Sequence, residues 1–162
     1  RLFTTKRAGR ELSKQAIFCI DAAVPLGWAR APLVHKLRAE SANGKDAAMS
    51  IKRLHPGPRM SQAVIHGDTV YLAGQVGNPG SGMAEQAQEA LAAVDSLLAE
   101  AGSSKSKILS VTVWLADMGD FATMNKVYEA WVDKDNPPAR ATGEARLATP
   151  DYRVEFIVTA AL

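Results

Sequence analysis

The chain has a single cysteine, Cys19, in 162 residues. An internal disulfide is therefore excluded, and the count suits a reducing compartment. Histidine is also scarce. His35, His55 and His66 are scattered, none with a second ligand at helix or turn spacing, so no metal site is expected. Long apolar runs are missing. The stretch 16–34 leans apolar but is broken by Asp21, Arg30 and two prolines, whereas a membrane helix wants about 20 mostly apolar residues. No Gly-x-Ser-x-Gly elbow occurs, and no Lys-Ser/Thr follows the glycines of 77–82, so neither a serine nucleophile nor a phosphate loop is indicated. Nor is there an excess of one charge over the body. Residues 1–48 carry nine Lys/Arg against four Asp/Glu (+5), and 49–162 carry ten against thirteen (−3), which together give the net +2. A mildly acidic body argues against a nucleic-acid partner, and RNA cleavage is disfavoured further by the lack of a histidine pair.

What remains is an ordinary globular composition, 47% hydrophobic and 22% charged, long enough for one domain with a real core. Small and polar residues in SANGKDAAMS (41–50) read as a linker. Residues 1–48 are expected to be an N-terminal extension, read as a targeting or disordered arm, a non-native addition, or a helical appendage. The opening RLFTTKRAGR is basic and hydroxyl-bearing, like an organelle transit segment. Otherwise the expected compartment is the cytoplasm. Residues 49–162 are expected to form the folded domain.

Within that body, Ala63–His66 and Thr69–Ala73 are β-rich runs joined by Gly67-Asp68, a two-residue hairpin turn. The spacing of Ala84, Ala87, Leu91, Val94 and Leu98 predicts a helix over 83–102, closed by Gly102. ILSVTVWLA (108–116) reads as a central strand. Asp120 is placed to cap a second helix over 121–132, with Phe121, Met124, Tyr128 and Trp131 on one face. Strands at about 140–148 and 153–161 flank the turn TPDY. The order predicts an α+β fold, one sheet with two helices on one face. In the last strand Val154, Phe156 and Val158 alternate with Glu155, Ile157 and Thr159. Helices can cover the first set. The second set is partly apolar and points to another subunit.

Two charges in the C-terminal segment stand out. Arg140 follows a rigid Pro137-Pro138-Ala139 lead-in, and Glu155 interrupts an apolar run. Arg140 is either a solvated strand-end cation or a bidentate grip for a carboxylate. Glu155 is either half of a cross-strand pair with Arg146, if the last two strands form a hairpin, or a partly desolvated proton carrier on the uncovered face. Composition leaves both choices open.

The segments GPRMSQAVIHGDTVYLAGQV (57–76), SKSKILSVTVWLADMGDFATMNKVYEAW (104–131) and PARATGEARLATPDYRVEF (138–156) resemble the YjgF/RidA family of reactive-intermediate deaminases, over essentially the whole body. The resemblance implies a chorismate-mutase-like fold, with a single-layer mixed β-sheet, assembled as a homotrimer with clefts between subunits. It implies cofactor-free hydrolysis of 2-imino and enamine acids, such as 2-aminoacrylate and 2-iminopropanoate, to 2-oxo acids and ammonia. Arg140 matches the arginine that holds the substrate carboxylate, and Glu155 the glutamate that handles water or a proton. Gly74 matches a backbone position lining the cleft, and Asn125 an asparagine nearby. Three positions depart from the common pattern: Arg59 in place of tyrosine, Ala73 in place of serine and Thr142 in place of cysteine. These positions bear on substrate range. They also motivate the alternative of a non-catalytic trimeric module that binds 2-oxo acids.

Overall fold

A computed structural model of the protein describes residues 50–162. The expected extension over 1–48, with Cys19 and His35, lies outside the described residues. The first described element, β1 (Ile51–Pro56), was not legible as a strand. It buries only Leu54 and is held by antiparallel backbone pairing to β2 (Ser61–His66). His55 also ties it to Glu100 at 2.7 Å. β2 turns through Gly67-Asp68 into β3 (Thr69–Leu72), with His66 opposite Thr69. Gly67 has φ 62. A positive φ at the first turn position matches the right-handed twist of the flanking strands, so the expected two-residue hairpin forms.

After the two-residue β4 (Gln75–Val76) comes the long helix α1 (Met83–Ala101). Its sequence is rich in Ala, Leu, Glu and Gln, which lose little freedom in a helix. Glu85 reaches back to the Gly82 N–H at 3.3 Å. At the far end Gly102 adopts φ 85, the Ser103 N–H bonds the Leu98 carbonyl at 2.8 Å and the Gly102 N–H bonds Ala99 at 3.1 Å. That pair of bonds is the glycine-terminated stop expected there. The buried stripe comprises Met83, Gln86, Ala87, Ala90, Leu91, Val94, Leu97 and Leu98.

Gln86, absent from the apolar pattern, is fully buried yet satisfied. Its Nε2 donates to the carbonyls of Ser81 and Asp151, both at 2.9 Å, and its Oε1 accepts from the Arg153 N–H at 2.9 Å. A buried amide is tolerated when its donors and acceptor are matched in this way.

β5 (Ile108–Leu115) leads through a tight turn into α2 (Phe121–Trp131), followed by β6 (Ala139–Glu144) and β7 (Val154–Ala161). Asp120 does not cap α2. Its carboxylate accepts from Arg153 at 2.7 Å and 2.9 Å, and Asp117 bonds the Gly119 N–H at 2.7 Å instead. The described strands form one mixed sheet in the order β1-β2-β3-β7-β5-β6, with β4 on β7. β5 pairs with β6 in parallel and with β7 in antiparallel. The last two strands do not form a hairpin, since β5 lies between them, and the strand expected at about 140–148 ends at Glu144. Helix α2 connects β5 to β6, and a strand–helix–strand unit pairs its strands in parallel.

Both helices cover one face. Beneath them lie Val154, Phe156, Val158 and Ala160 of β7, with Val111, Val113 and Leu115 of β5, all at 0–1% exposure. Glu155, Ile157, Thr159, Thr112, Trp114 and Val64 point to the opposite face and are half-buried. Tyr71, on the same side, is 49% exposed. Among the described residues no helix packs on this second face.

Candidate active site

Register decides which side chains share a face. Arg140 pairs with Val111 and Thr142 with Val113, so both point toward the helices from β6, the edge strand. There the Arg140 Nη1 donates to Asn125 Oδ1 of α2 at 2.8 Å. The guanidinium carbon lies 4.7 Å from the centroid of the Tyr128 ring. The two α2 residues are three apart and so share one side of the helix. A cavity of about 350 Å³ opens here, lined by Tyr128, Glu129, Val132, Pro137, Pro138, Arg140 and Thr142. The prolines shape the approach of the chain into β6, and Arg140 is half-buried at the cavity wall. Thr142 is 3% exposed. Burial raises the Tyr128 phenol above its ordinary range, against a smaller opposing pull from Arg140. The phenol therefore stays protonated at neutral pH.

Glu155 occupies a second locus. It pairs with Val76 of β4 and Trp114 of β5 on the open face. Gly74, just before β4, leaves the space that the carboxylate fills: a Cβ built there would meet Glu155 Oε1 and stand 2.7 Å from its Cδ. Ala73 adjoins, its N–H bonded to the Gln62 carbonyl at 2.9 Å. Glu155 makes no ion pair with Arg146 among the described residues, because Arg146 lies beyond the end of β6 and β5 separates β6 from β7. Arg59 is exposed in the turn before β2. Four strand spacings, about 19 Å, separate β2 from β6, so within one chain Arg59 is remote from the cavity.

The sequence-predicted residues thus fall into two groups. Arg140, Asn125 and Thr142 meet at the α2–β6 cavity, whereas Glu155, Gly74 and Ala73 meet on the opposite face. Glu155 lies across β5 from Gly143. From there Arg140 is three residues away along β6, so the two Cα atoms stand about 14 Å apart by strand geometry, with side chains on opposite faces. Tyr128 was assigned only to the apolar face of α2. Its spacing of three from Asn125 was the available signal that it also contacts Arg140.

Replacing Gly74 with alanine tests the second group. The flexible glutamate can swing away, so stability should fall by only about 1 kcal/mol. Any turnover that depends on the Glu155 position should fall by about 10²-fold, the scale of a 1 Å misplacement. Unchanged turnover, with the fold retained, would show that the carboxylate is not used where it sits.

A single mixed sheet backed by two helices, with a braced arginine at one edge and a carboxylate on the bare face, defines a small α+β protein whose polar site residues lie in two clusters. The family described as Endoribonuclease L-PSP matches residues 50–162. A RutC family protein of Haemophilus influenzae is 44% identical over 114 residues, 69% of this chain and 98% of that protein. The 2-iminobutanoate/2-iminopropanoate deaminase of Homo sapiens is 37% identical over 103 residues, 59% of this chain and 74% of its own. Among solved structures, a YjgF-family protein of Neisseria meningitidis superposes with a TM-score of 0.68 at 45% identity, covering 70% of this chain and 95% of that one. The chain belongs to the YjgF/RidA family. Among the described residues no helix is long and apolar enough to cross a membrane.

Proposed function

We propose that the protein hydrolyses 2-imino and enamine acids of the 2-aminoacrylate or 2-iminopropanoate type to 2-oxo acids and ammonia. On this reading it uses no cofactor and works as a homotrimer in the cytoplasm. The observation that carries the reading is an arginine braced by Asn125 and Tyr128 at the wall of a cavity. The human relative named as a 2-iminobutanoate/2-iminopropanoate deaminase supports it.

The chemistry asks little of the protein. Arg140 grips the substrate carboxylate through its fork of N–H donors. An enamine such as 2-aminoacrylate first gains a proton from solvent at C3 and becomes the protonated imine. Glu155 accepts a proton from a water whose oxygen adds to C2, and the C=N bond becomes a C–N single bond. Protonated Glu155 then gives that proton to the carbinolamine nitrogen, the C–N bond breaks and ammonia leaves, and the hydroxyl proton passes to the Glu155 carboxylate and on to solvent as the C=O bond forms. Orientation and one acid/base group account for the acceleration.

Because Arg140 and Glu155 point to opposite faces of one chain, a complete site takes Arg140 from one protomer and Glu155 from a neighbour. The partly apolar open face, with exposed Tyr71, supports such an assembly.

Mixed assemblies test both the chemistry and the arrangement. Arg140→Ala and Glu155→Gln proteins should each be inactive toward 2-iminobutanoate supplied by a threonine dehydratase. When the two are unfolded and refolded together, random assembly pairs both native residues in roughly a quarter of the sites, and activity should return to about that fraction. No recovery in mixed assemblies would place both residues in one chain's site and sink the shared cleft. Tight 2-oxobutanoate binding by the wild type without turnover would favour the binding module instead.

A further inference from the structure

Arg140 does not reach its position through β6 alone. Its guanidinium lies on the Tyr128 ring, and that ring packs on Trp131 with centroids 5.6 Å apart and planes at 52°. Trp131 is in turn held by two groups outside the cavity. Its indole N–H donates to Asp95 Oδ2 of α1 at 2.9 Å. Lys105 Nζ stands 4.9 Å from the Trp131 ring centroid and 3.3 Å from the same Asp95 oxygen. A continuous series of contacts therefore runs from the Asp95–Lys105 ion pair, through two tilted aromatic rings, to the arginine at the cavity wall.

Rigid aromatic rings suit such a role, since each has only two side-chain torsions and neighbours on both faces fix them. A guanidinium on a ring face is held by cation–π attraction without using the N–H edges that bind a carboxylate. Among the described residues the buried Tyr128 hydroxyl has no hydrogen-bond partner. The ring is the part that touches Arg140.

We infer that Tyr128 and Trp131 form an aromatic strut, anchored by Asp95 and Lys105, that positions the Arg140 guanidinium for carboxylate binding. They are positioning residues, acting through Arg140. The inference rests on the proposed role of Arg140 as the carboxylate grip. It adds that substrate affinity is set in part by helix–helix contacts outside the cavity.

The test compares variants that keep the ring with variants that remove it, using imine turnover and calorimetric 2-oxobutanoate binding on the full-length protein. Tyr128→Leu should raise KM and the 2-oxobutanoate Kd by about five- to thirtyfold, the range of a partly desolvated cation–π contact. The kcat should change by less than about threefold, because a carboxylate grip holds ground state and transition state alike. Tyr128→Phe keeps the ring and should restore KM to within about twofold. Trp131→Leu, at a half-buried position that is easier to vary, should raise KM severalfold, with Trp131→Phe recovering most of it.

Two results would overturn the strut. One is leucine variants that lower thermal stability while leaving KM and Kd unchanged, which is the behaviour of packing alone. The other is Tyr128→Phe losing affinity as badly as Tyr128→Leu, which would assign the phenol itself to the ligand. Failure of the underlying reading looks different: wild-type protein would then neither bind 2-oxobutanoate nor accelerate imine hydrolysis.

Discussion

On the proposed function, Arg140→Ala is expected to abolish measurable imine hydrolysis while the fold persists. Two charge-assisted hydrogen bonds to a carboxylate contribute about 1.5–3 kcal/mol each. Losing both corresponds to a fall of roughly 10²–10⁴ in kcat/KM. The fold should survive, because the side chain is half-buried at the edge strand and the core beneath α1 does not include it. Arg140→Lys should rescue little. An ammonium keeps the charge but offers neither the planar fork nor a face to stack on Tyr128. Steady-state kinetics with dehydratase-generated imine, alongside circular dichroism, would decide the matter. A folded alanine variant with wild-type rates would remove Arg140 from the chemistry.

Gly77→Ala should be the most damaging substitution to stability among the glycines that begin the helix. A Cβ at Gly77 would overlap the Gln86 backbone, standing 2.8 Å from its carbonyl carbon and closer still to its Cα and oxygen. Unlike the side chain opposite Gly74, helix backbone cannot step aside. Gln86 is also fixed by bonds to Ser81, Asp151 and Arg153. Overpacking against backbone is expected to cost about 3 kcal/mol or more. For a domain of this size that lowers the thermal midpoint by on the order of 10–20 °C. A scanning-calorimetry shift of only a degree or two would mean that the loop and helix separate more readily than their contacts imply.

The contrast between the two glycines also shows what the sequence could convey. Both sit in a stretch legible as a hairpin exit and a helix start, and the periodic elements β2, β3, α1, β5 and α2 could all be read from apolar spacing. β1 could not. Lys52, Arg53, His55 and Pro56 hide a strand whose pairing is nearly all backbone, as suits an edge. The placement of β5 between β6 and β7 was missed for a different reason. TPDY invites a hairpin, whereas the crossover through α2 dictates parallel pairing and sends β7 to the other side of β5. Asp120 has the composition of a cap, but Arg153, 33 residues away, claims its carboxylate.

The candidate site was legible as a list of residues and illegible as geometry. Arg140 and Glu155 each stand out against their surroundings, yet which face each takes depends on strand order. The role of Tyr128 was masked because an aromatic on an apolar stripe is sufficiently explained by packing.

One feature of α1 bears on how the molecule breathes. A single amide, that of Gln86, joins the glycine-rich loop, the first turn of the helix and the segment entering the last strand. None of these three can detach without stranding a buried donor or acceptor of the other two. They should therefore open as one cooperative unit, and backbone amides on either side of that side chain, 67 residues apart for Arg153, should exchange with solvent hydrogen at a common rate.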